Sequence, residues 1–344
     1  MAVNPVPYHR NRPEGNPEAV GEAVSVAGRG GFFLWHWARD TASLFLVTTP
    51  LQEPSMNIKQ TELTPGYPIL EITHPAVSAR IALCGAHLME WTPAGHDPVL
   101  YLSPEALYEE GKPIRGGVPL CWPWFGGHPD DPALPSHGLV RTCFWKQGPV
   151  TSDGTGVTLK FTLTDDPLSR RCWDHPFHLE LEMRLGASLQ LSLQMTNPGP
   201  SGVNLTSALH TYLTIGDIRQ IRVTGLDGVP YLDTVGSRTV HQQSGDIMFD
   251  REVDRLYATG GAVAVHDPVL QRIITVRSGG SGCSVVWNPW IAKAARLTDL
   301  PDEDYQRFVC VETANAWEDV ITLAPGATHT LTTCLELQRT SRAK

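Results

Sequence analysis

The sequence predicts an all-β protein, a large antiparallel β-sandwich with few short helices, and three observations carry that prediction. Apolar and polar residues alternate strictly along several runs, short strand-like runs recur between Gly, Pro, Asn and Asp, and helical periodicity is nearly missing. Alternation sets one face of a strand on a core and the other toward water, as in antiparallel sheets. A sandwich of this kind can extend to roughly 250 residues or more as one domain.

The elements follow in order. Residues Met1 to Ser55 begin as Pro/Gly/Glu-rich polar text and end in the apolar run Gly31–Pro50, interrupted by Arg39 and Asp40. A membrane span needs about 20 predominantly apolar residues, and two central charges are costly there. Met56 opens MNIKQTELTPGYPILEITHP, which reads as a natural start. Residues 1–55 are therefore expected to be a poorly ordered, dispensable extension, and 56–344 a single domain. Beyond Pro68 the period is two. Leu159, Phe161 and Leu163 alternate with polar neighbours, as do Leu179 to Leu185 and Leu189 to Met195, with a hairpin expected at Gly186. Further strands are expected at Ser78–Leu83, Ile218–Thr224, Ala262–His266, Leu270–Arg277, Ser284–Trp287, Arg307–Glu312 and Thr328–Leu337, and one short helix at Trp290–Leu297. The segment Lys112–Trp145 carries Gly-Gly pairs, prolines, aromatics, histidines and arginines. Gly and Pro punctuate it too often for a helix or an ordinary strand, so it reads as a long, structured surface loop of the kind that carries function.

Composition limits the partners. With a formal net charge of -9 the chain has no general field for polyphosphate, which excludes nucleic acid; an anion would have to be held by a few placed arginines. Seven cysteines stand singly and in odd number, the pattern of reduced cytoplasmic thiols and not of a disulfide framework or a zinc site. The histidines have no metal-ligand spacing, so neither a metal nor a cofactor is expected. GxGxxG, P-loop, GxSxG and HExxH motifs are missing.

Several residues could carry chemistry. His210 ends an apolar run and is either a core histidine bonded to backbone or a catalytic one. Glu312 lies in RFVCVETANAW. On the alternation it shares a face with Cys310, opposite Val309 and Val311, and it is either a cavity carboxylate with a shifted pKa or an ion-paired edge group. Arg115 and Arg141 bracket the functional segment, and their guanidinium forks suit phosphate or a surface ion pair equally. His137 in PSHG could face a sugar hydroxyl or cap a turn, and Asp233 in VPYLDTV could do the same or stand in water. Trp122, Trp124, Phe125, Trp287 and Trp290 could wall a sugar ring or pack the core.

Taken together, IRGGVPLCWPWFG (114–126), PSHGLVR (135–141), LHTYLTIGD (209–217), VVWNPW (285–290) and FVCVETANA (308–316) closely resemble the glucose-6-phosphate 1-epimerases, the phosphosugar branch of the aldose 1-epimerase family. The resemblance runs from about Ile69 to Leu337. It implies a galactose-mutarotase-like sandwich with an open cleft, His210 as acid and Glu312 as base, Arg115 and Arg141 on the 6-phosphate, and His137 and Asp233 on the sugar. It also implies a sugar phosphate as partner, with neither nucleic acid nor membrane, and a cytoplasmic monomer is expected. Thr313 departs from the proline that commonly follows the glutamate, and Leu139-Val140 replace Phe-Ala. Mutarotation of unphosphorylated aldoses and a non-catalytic carbohydrate-binding module are the alternatives.

Overall fold

Strand formation follows the alternation. In the computed structural model, which describes residues 56–340, the runs around Leu159, Leu181 and Leu191 become the neighbouring strands Gly156–Thr164, His178–Gly186 and Leu189–Thr196. The expected 1–55 extension lies outside the described residues. Leu181 faces Leu193 and Phe161 across the ladders, so the apolar sets of adjacent strands fall on one face. Each such side chain, fully buried, contributes about 1.5–3 kcal/mol relative to exposure.

These strands belong to an eight-stranded antiparallel sheet, the back sheet, completed by Lys146–Asp153 at one edge and by Thr328–Arg339, Arg272–Gly279, Val263–Asp267 and Arg222–Thr224 on the other side. A second eight-stranded sheet, the front sheet, runs Thr239–Gln242, Pro230–Asp233, Val253–Tyr257, Cys283–Asn288, Phe308–Asn315, Ser207–Leu209, Leu120–Cys121, and Tyr212–Thr214 also pairs with Phe308–Asn315. Four further strands, Asn57–Glu62, Pro68–His74, Val77–Ala82 and His87–Pro93, form their own sheet and send Ile72, Ile81 and Trp91 into the same core. Two α-helical segments occur among the described residues, Ser169–Cys172 and Trp290–Ala294, the second matching the one expected helix with an earlier end. No helix there is long and apolar enough to cross a membrane.

The central front strands are covered on both faces, and that decides what they can hold. All eight residues of Phe308–Asn315 and all six of Cys283–Asn288 are buried. Val311 pairs with Val286, and both point into the main core with the back sheet. One residue along, Glu312 pairs with Val285, which pairs with Leu256, which pairs with Leu232. Residues directly opposite on antiparallel strands share a face. This second row, with Ala314, Cys283, Ala208 and Cys121, forms a smaller apolar cluster on the outer face. Thr313 turns inward and shares a 2.8 Å hydrogen bond with Ser278 of the back sheet, so its side chain points away from the face that carries Glu312.

Two expectations need correction. Strand pairing over Ile218–Thr224 is confined to Arg222–Thr224, because Asp217 accepts from the backbone of Arg219 through its carboxylate and from Gln220 and Ile221 through its carbonyl, which fixes a turn. The Lys112–Trp145 segment is a surface loop only over its middle, around residues 127–136, and its flanks are drawn into the core. Trp122, Val140 and Trp145 are fully buried, and the segment contributes the strand Leu120–Cys121 and a 3-10 turn at Val140–Thr142. Its Gly116 and Gly117 have φ of 115° and 60°, conformations that L side chains rarely adopt. Gly117 donates to the Tyr101 carbonyl at 2.7 Å, while the buried His87, its ring pushed down to about 4 by desolvation, donates from Nε2 to the Gly116 carbonyl at 2.8 Å.

A Cβ on Gly117 would collide with the Leu88 carbonyl and the His87 ring. Gly117→Ala is expected to lower stability by about 2–4 kcal/mol, read as a lower urea midpoint at unchanged slope. A loss under about 0.5 kcal/mol would contradict the close packing described.

Candidate active site

The outer face of the front sheet and the 112–145 segment enclose a cavity of about 280 Å³. That is near the lower end of small-ligand pockets, roughly 300–1,000 Å³, and suits one substituted sugar ring. A larger depression of about 410 Å³ lies at the hairpin ends around Asp153 and Arg184, but turn residues and hydroxyls line it, with no acid–base pair.

Glu312 and His210 form the cavity floor. His210 follows the strand Ser207–Leu209, and its backbone N–H donates to the Pro119 carbonyl at 3.0 Å, which ties it to the 112–145 segment. Its Nε2 lies 3.4 Å from Glu312 Oε1. Among the described residues, His210 Nδ1 and Glu312 Oε2 are buried without a hydrogen-bond partner, an exception that folded proteins keep at strained or catalytic positions or where water or an ion completes the site. The imidazole stacks on Tyr212 at 4.9 Å and 13°, and meets Trp287 and His137 edge-on. These rings fix its plane toward the cavity.

Three cations line the cavity, in different electrostatic states. Arg115 donates from Nε to Asp299 Oδ1 and from Nη1 to the Tyr212 hydroxyl, each at 3.1 Å. Lys293 lies between Glu252 at 2.9 Å and Asp254 at 3.3 Å, over the Trp287 ring. Arg141 donates to the Ser136 carbonyl at 2.6 Å and, among the described residues, forms no ion pair. It is the cation whose charge is left for a ligand. His137, at φ 64°, is anchored by its backbone N–H to the Gly126 carbonyl at 2.6 Å and also lines the cavity.

The structure thus brings His210, Glu312, Arg115, Arg141 and His137 together and leaves Asp233 out. Asp233 pairs with Arg255, which pairs with Val286, so it lies on the face opposite Glu312 and contacts Arg255 at 3.6 Å. The carboxylate that lines the cavity is Asp254, whose register partner is Trp287. A shift of one residue in strand parity separates the two. Of the five aromatics considered, Phe125 and Trp287 line the cavity; Trp122 and Trp124 are core, and Trp290 packs on Tyr305. Tyr212 and Lys293 also belong to the site. Tyr212 stands two residues after His210 in LHTY, while Lys293 and Asp254 carry no local signal in the sequence and are brought in by strand register and the helix Trp290–Ala294.

The electrostatics follow from burial. Desolvation, then the charge of Asp254, holds the Glu312 carboxyl well above its usual range. Desolvation, then His137, Arg141 and Arg115, holds His210 well below its usual value. Both directions favour a neutral pair with the proton on Glu312. For Arg115, burial opposes the charge, but Tyr212 and Asp299 outweigh it and raise its pKa.

The family profile described as aldose 1-epimerase matches residues 68–336. A relative named "putative glucose-6-phosphate 1-epimerase" from Escherichia coli (strain K12) is 38% identical over 252 residues, 73% of this chain and 84% of its own. One of the same name from Cenchrus ciliaris is 35% identical over 259 residues, 72% of this chain and 78% of its own. Among solved structures, a "putative mutarotase" from Salmonella typhimurium superposes with a TM-score of 0.76 at 32% identity, covering 82% of this chain and 97% of that one. The galactose 1-epimerase of Lactobacillus acidophilus NCFM, at 15% identity and a TM-score of 0.64, shares the fold.

Burial of Glu312 has a thermodynamic consequence with a definite sign. A carboxyl whose folded pKa is raised contributes most below its unfolded value, near 4.5, and that contribution is lost as pH rises through the folded pKa. Glu312→Gln removes the ionisable group at nearly constant shape. The variant is expected to be about 1–3 kcal/mol more stable than wild type at neutral to alkaline pH, with the two converging toward pH 4. Thermal melts across pH measure this, and a gap independent of pH would contradict it.

Proposed function

The chain belongs to the aldose 1-epimerase family, and from that premise we propose that it interconverts the α and β anomers of a hexose 6-phosphate, glucose 6-phosphate foremost. The observation that supports the anomerase chemistry is the buried Glu312–His210 pair at 3.4 Å, whose Oε2 and Nδ1 have no hydrogen-bond partner among the described residues. Opening a hemiacetal requires one group to take the C1 hydroxyl proton while another protonates the ring oxygen. The O1–H electrons become the C1 carbonyl π bond and the C1–O5 electrons pass to O5. Rotation about C1–C2 presents the other carbonyl face, and the steps reverse with the roles exchanged. Glu312 serves as the base and His210 as the acid.

The proton count already suits this. Transfer of one proton from Glu312 to His210 converts the neutral pair into carboxylate and imidazolium. Desolvation, then His137, and only after them Arg141 and Arg115 hold His210 down, and a phosphate dianion between the two arginines offsets their share of that field. Binding energy from the remote phosphate thus both positions C1 and arms the acid. The phosphate assignment rests on Arg141, the cavity cation without a carboxylate partner among the described residues. Asp254 and His137 are the groups within the cavity for the sugar hydroxyls. The seven free cysteines support a reducing, cytoplasmic setting, where sugar phosphates are available.

Phosphate recognition is tested by comparing glucose 6-phosphate with glucose. Arg141→Ala is expected to raise KM for the phosphorylated sugar by about 10–100-fold, the worth of one lost charge-assisted contact, with the rate on glucose nearly unchanged. Equal effects on both sugars, or none on either, would instead favour an enzyme for unphosphorylated aldoses.

A further inference from the structure

Behind the cavity, outside its lining, a third ligating group lies beside His210 and Glu312. Cys310 stands two residues before Glu312 on the same strand face, with Tyr212 and Trp287 as its register partners. Its Sγ, a ring nitrogen of His210 and a carboxylate oxygen of Glu312 all lie within 4.8 Å of one another, and all three residues are buried. His210 Nδ1 and Glu312 Oε2 lack any hydrogen-bond partner. We propose that His210, Cys310 and Glu312 form a binding site for a borderline-soft divalent metal such as Zn²⁺, and that its occupation inhibits the enzyme reversibly by sequestering the acid and the base.

The donor set selects the metal class. One imidazole nitrogen, one thiolate and one carboxylate suit Zn²⁺ or Co²⁺, whereas Mg²⁺ and Ca²⁺ call for oxygen ligands throughout. Tetrahedral zinc, with bonds of about 2.0–2.3 Å, sets its ligand atoms roughly 3.3–3.6 Å apart. The His210–Glu312 contact is already 3.4 Å, so the remaining closure is about 1 Å. The fourth position opens to the cavity, where water completes the shell. Binding leaves the Cys310 sulfur and the Glu312 carboxylate as anions and His210 neutral, with the displaced protons released to solvent. Asp254 adds negative charge from the same cavity. Arg115 opposes a cation less than its charge suggests, since Asp299 pairs with it, and Arg141 is the main opposing field. A bound sugar phosphate fills the cavity, so sugar and metal exclude each other.

Co²⁺ serves as a spectroscopic probe on the full-length protein, because a thiolate–cobalt bond produces a near-ultraviolet charge-transfer band whether or not the protein is an epimerase. Wild type is expected to develop this band with one equivalent of Co²⁺, Zn²⁺ to bleach it, and a chelator to reverse both. Cys310→Ala is expected to lose the band and to keep its anomerase rate, while Zn²⁺ that slows wild type by about tenfold or more leaves the variant within about twofold. If Cys310→Ala does not fold, Glu312→Gln provides the second test, with at least about tenfold weaker Co²⁺ binding expected. The proposal is overturned if saturating Co²⁺ gives no band in wild type, or if the band persists in Cys310→Ala. The inhibition arm rests on the epimerase reading. A cobalt band in a protein without anomerase activity would leave the metal site standing and remove that reading alone.

Discussion

Glu312 is a carboxyl on a strand whose eight residues are all buried, and the rest of the site is arranged around that cost. The inner face of the strand belongs to the core between the sheets, so the carboxylate has nowhere to go but the outer face. There the 112–145 segment covers it and supplies histidine and arginine to the cavity lining. The result is a pair whose members are both driven toward neutrality, a form one proton transfer away from the form that does chemistry.

The segment can close so tightly because its backbone takes conformations that side chains would forbid. Gly116 and Gly117 let the chain approach Tyr101 and Leu88, and Gly138 lies against the Trp122 carbonyl. Arg115 and Arg141 are thereby brought to the cavity from opposite ends of the segment, while Tyr212 links the first of them to the His210 ring. In the proposed reaction this short network is what would couple the charge of a bound phosphate to the field at His210.

Much of this was legible before the structure. Alternation placed most strands of the back sheet to within a few residues, since period-two burial is a local property, but in the front sheet it marked only Cys283–Asn288 and Phe308–Asn315. Parity within RFVCVETANAW also put Glu312 opposite Val309 and Val311, as found. Asp233 shows where that reasoning stops. Its strand, Pro230–Asp233, is only four residues long and is not marked by the alternation, nor is its register against Val253–Tyr257, and a shift of one residue sends the side chain to the other face, where it contacts Arg255. Asp254 and Lys293 were missed for the same reason, as long-range register and a helix placement decide their position. Of the two roles open to Trp122 and Trp124, sugar wall or core, the structure gives them the core, because a Pro/Gly-rich stretch can thread through the interior when its aromatics pack there.

The central claim is that one buried proton, shared between Glu312 and His210, opens and closes the sugar ring. Exchange NMR between the α and β anomers of glucose 6-phosphate at chemical equilibrium tests it directly, with wild type beside Glu312→Gln and His210→Asn. The account predicts exchange well above the spontaneous rate with wild type and a fall of about 10²-fold or more in each single variant, both still folded and still binding phosphate. Exchange at the wild-type rate in either variant would contradict it.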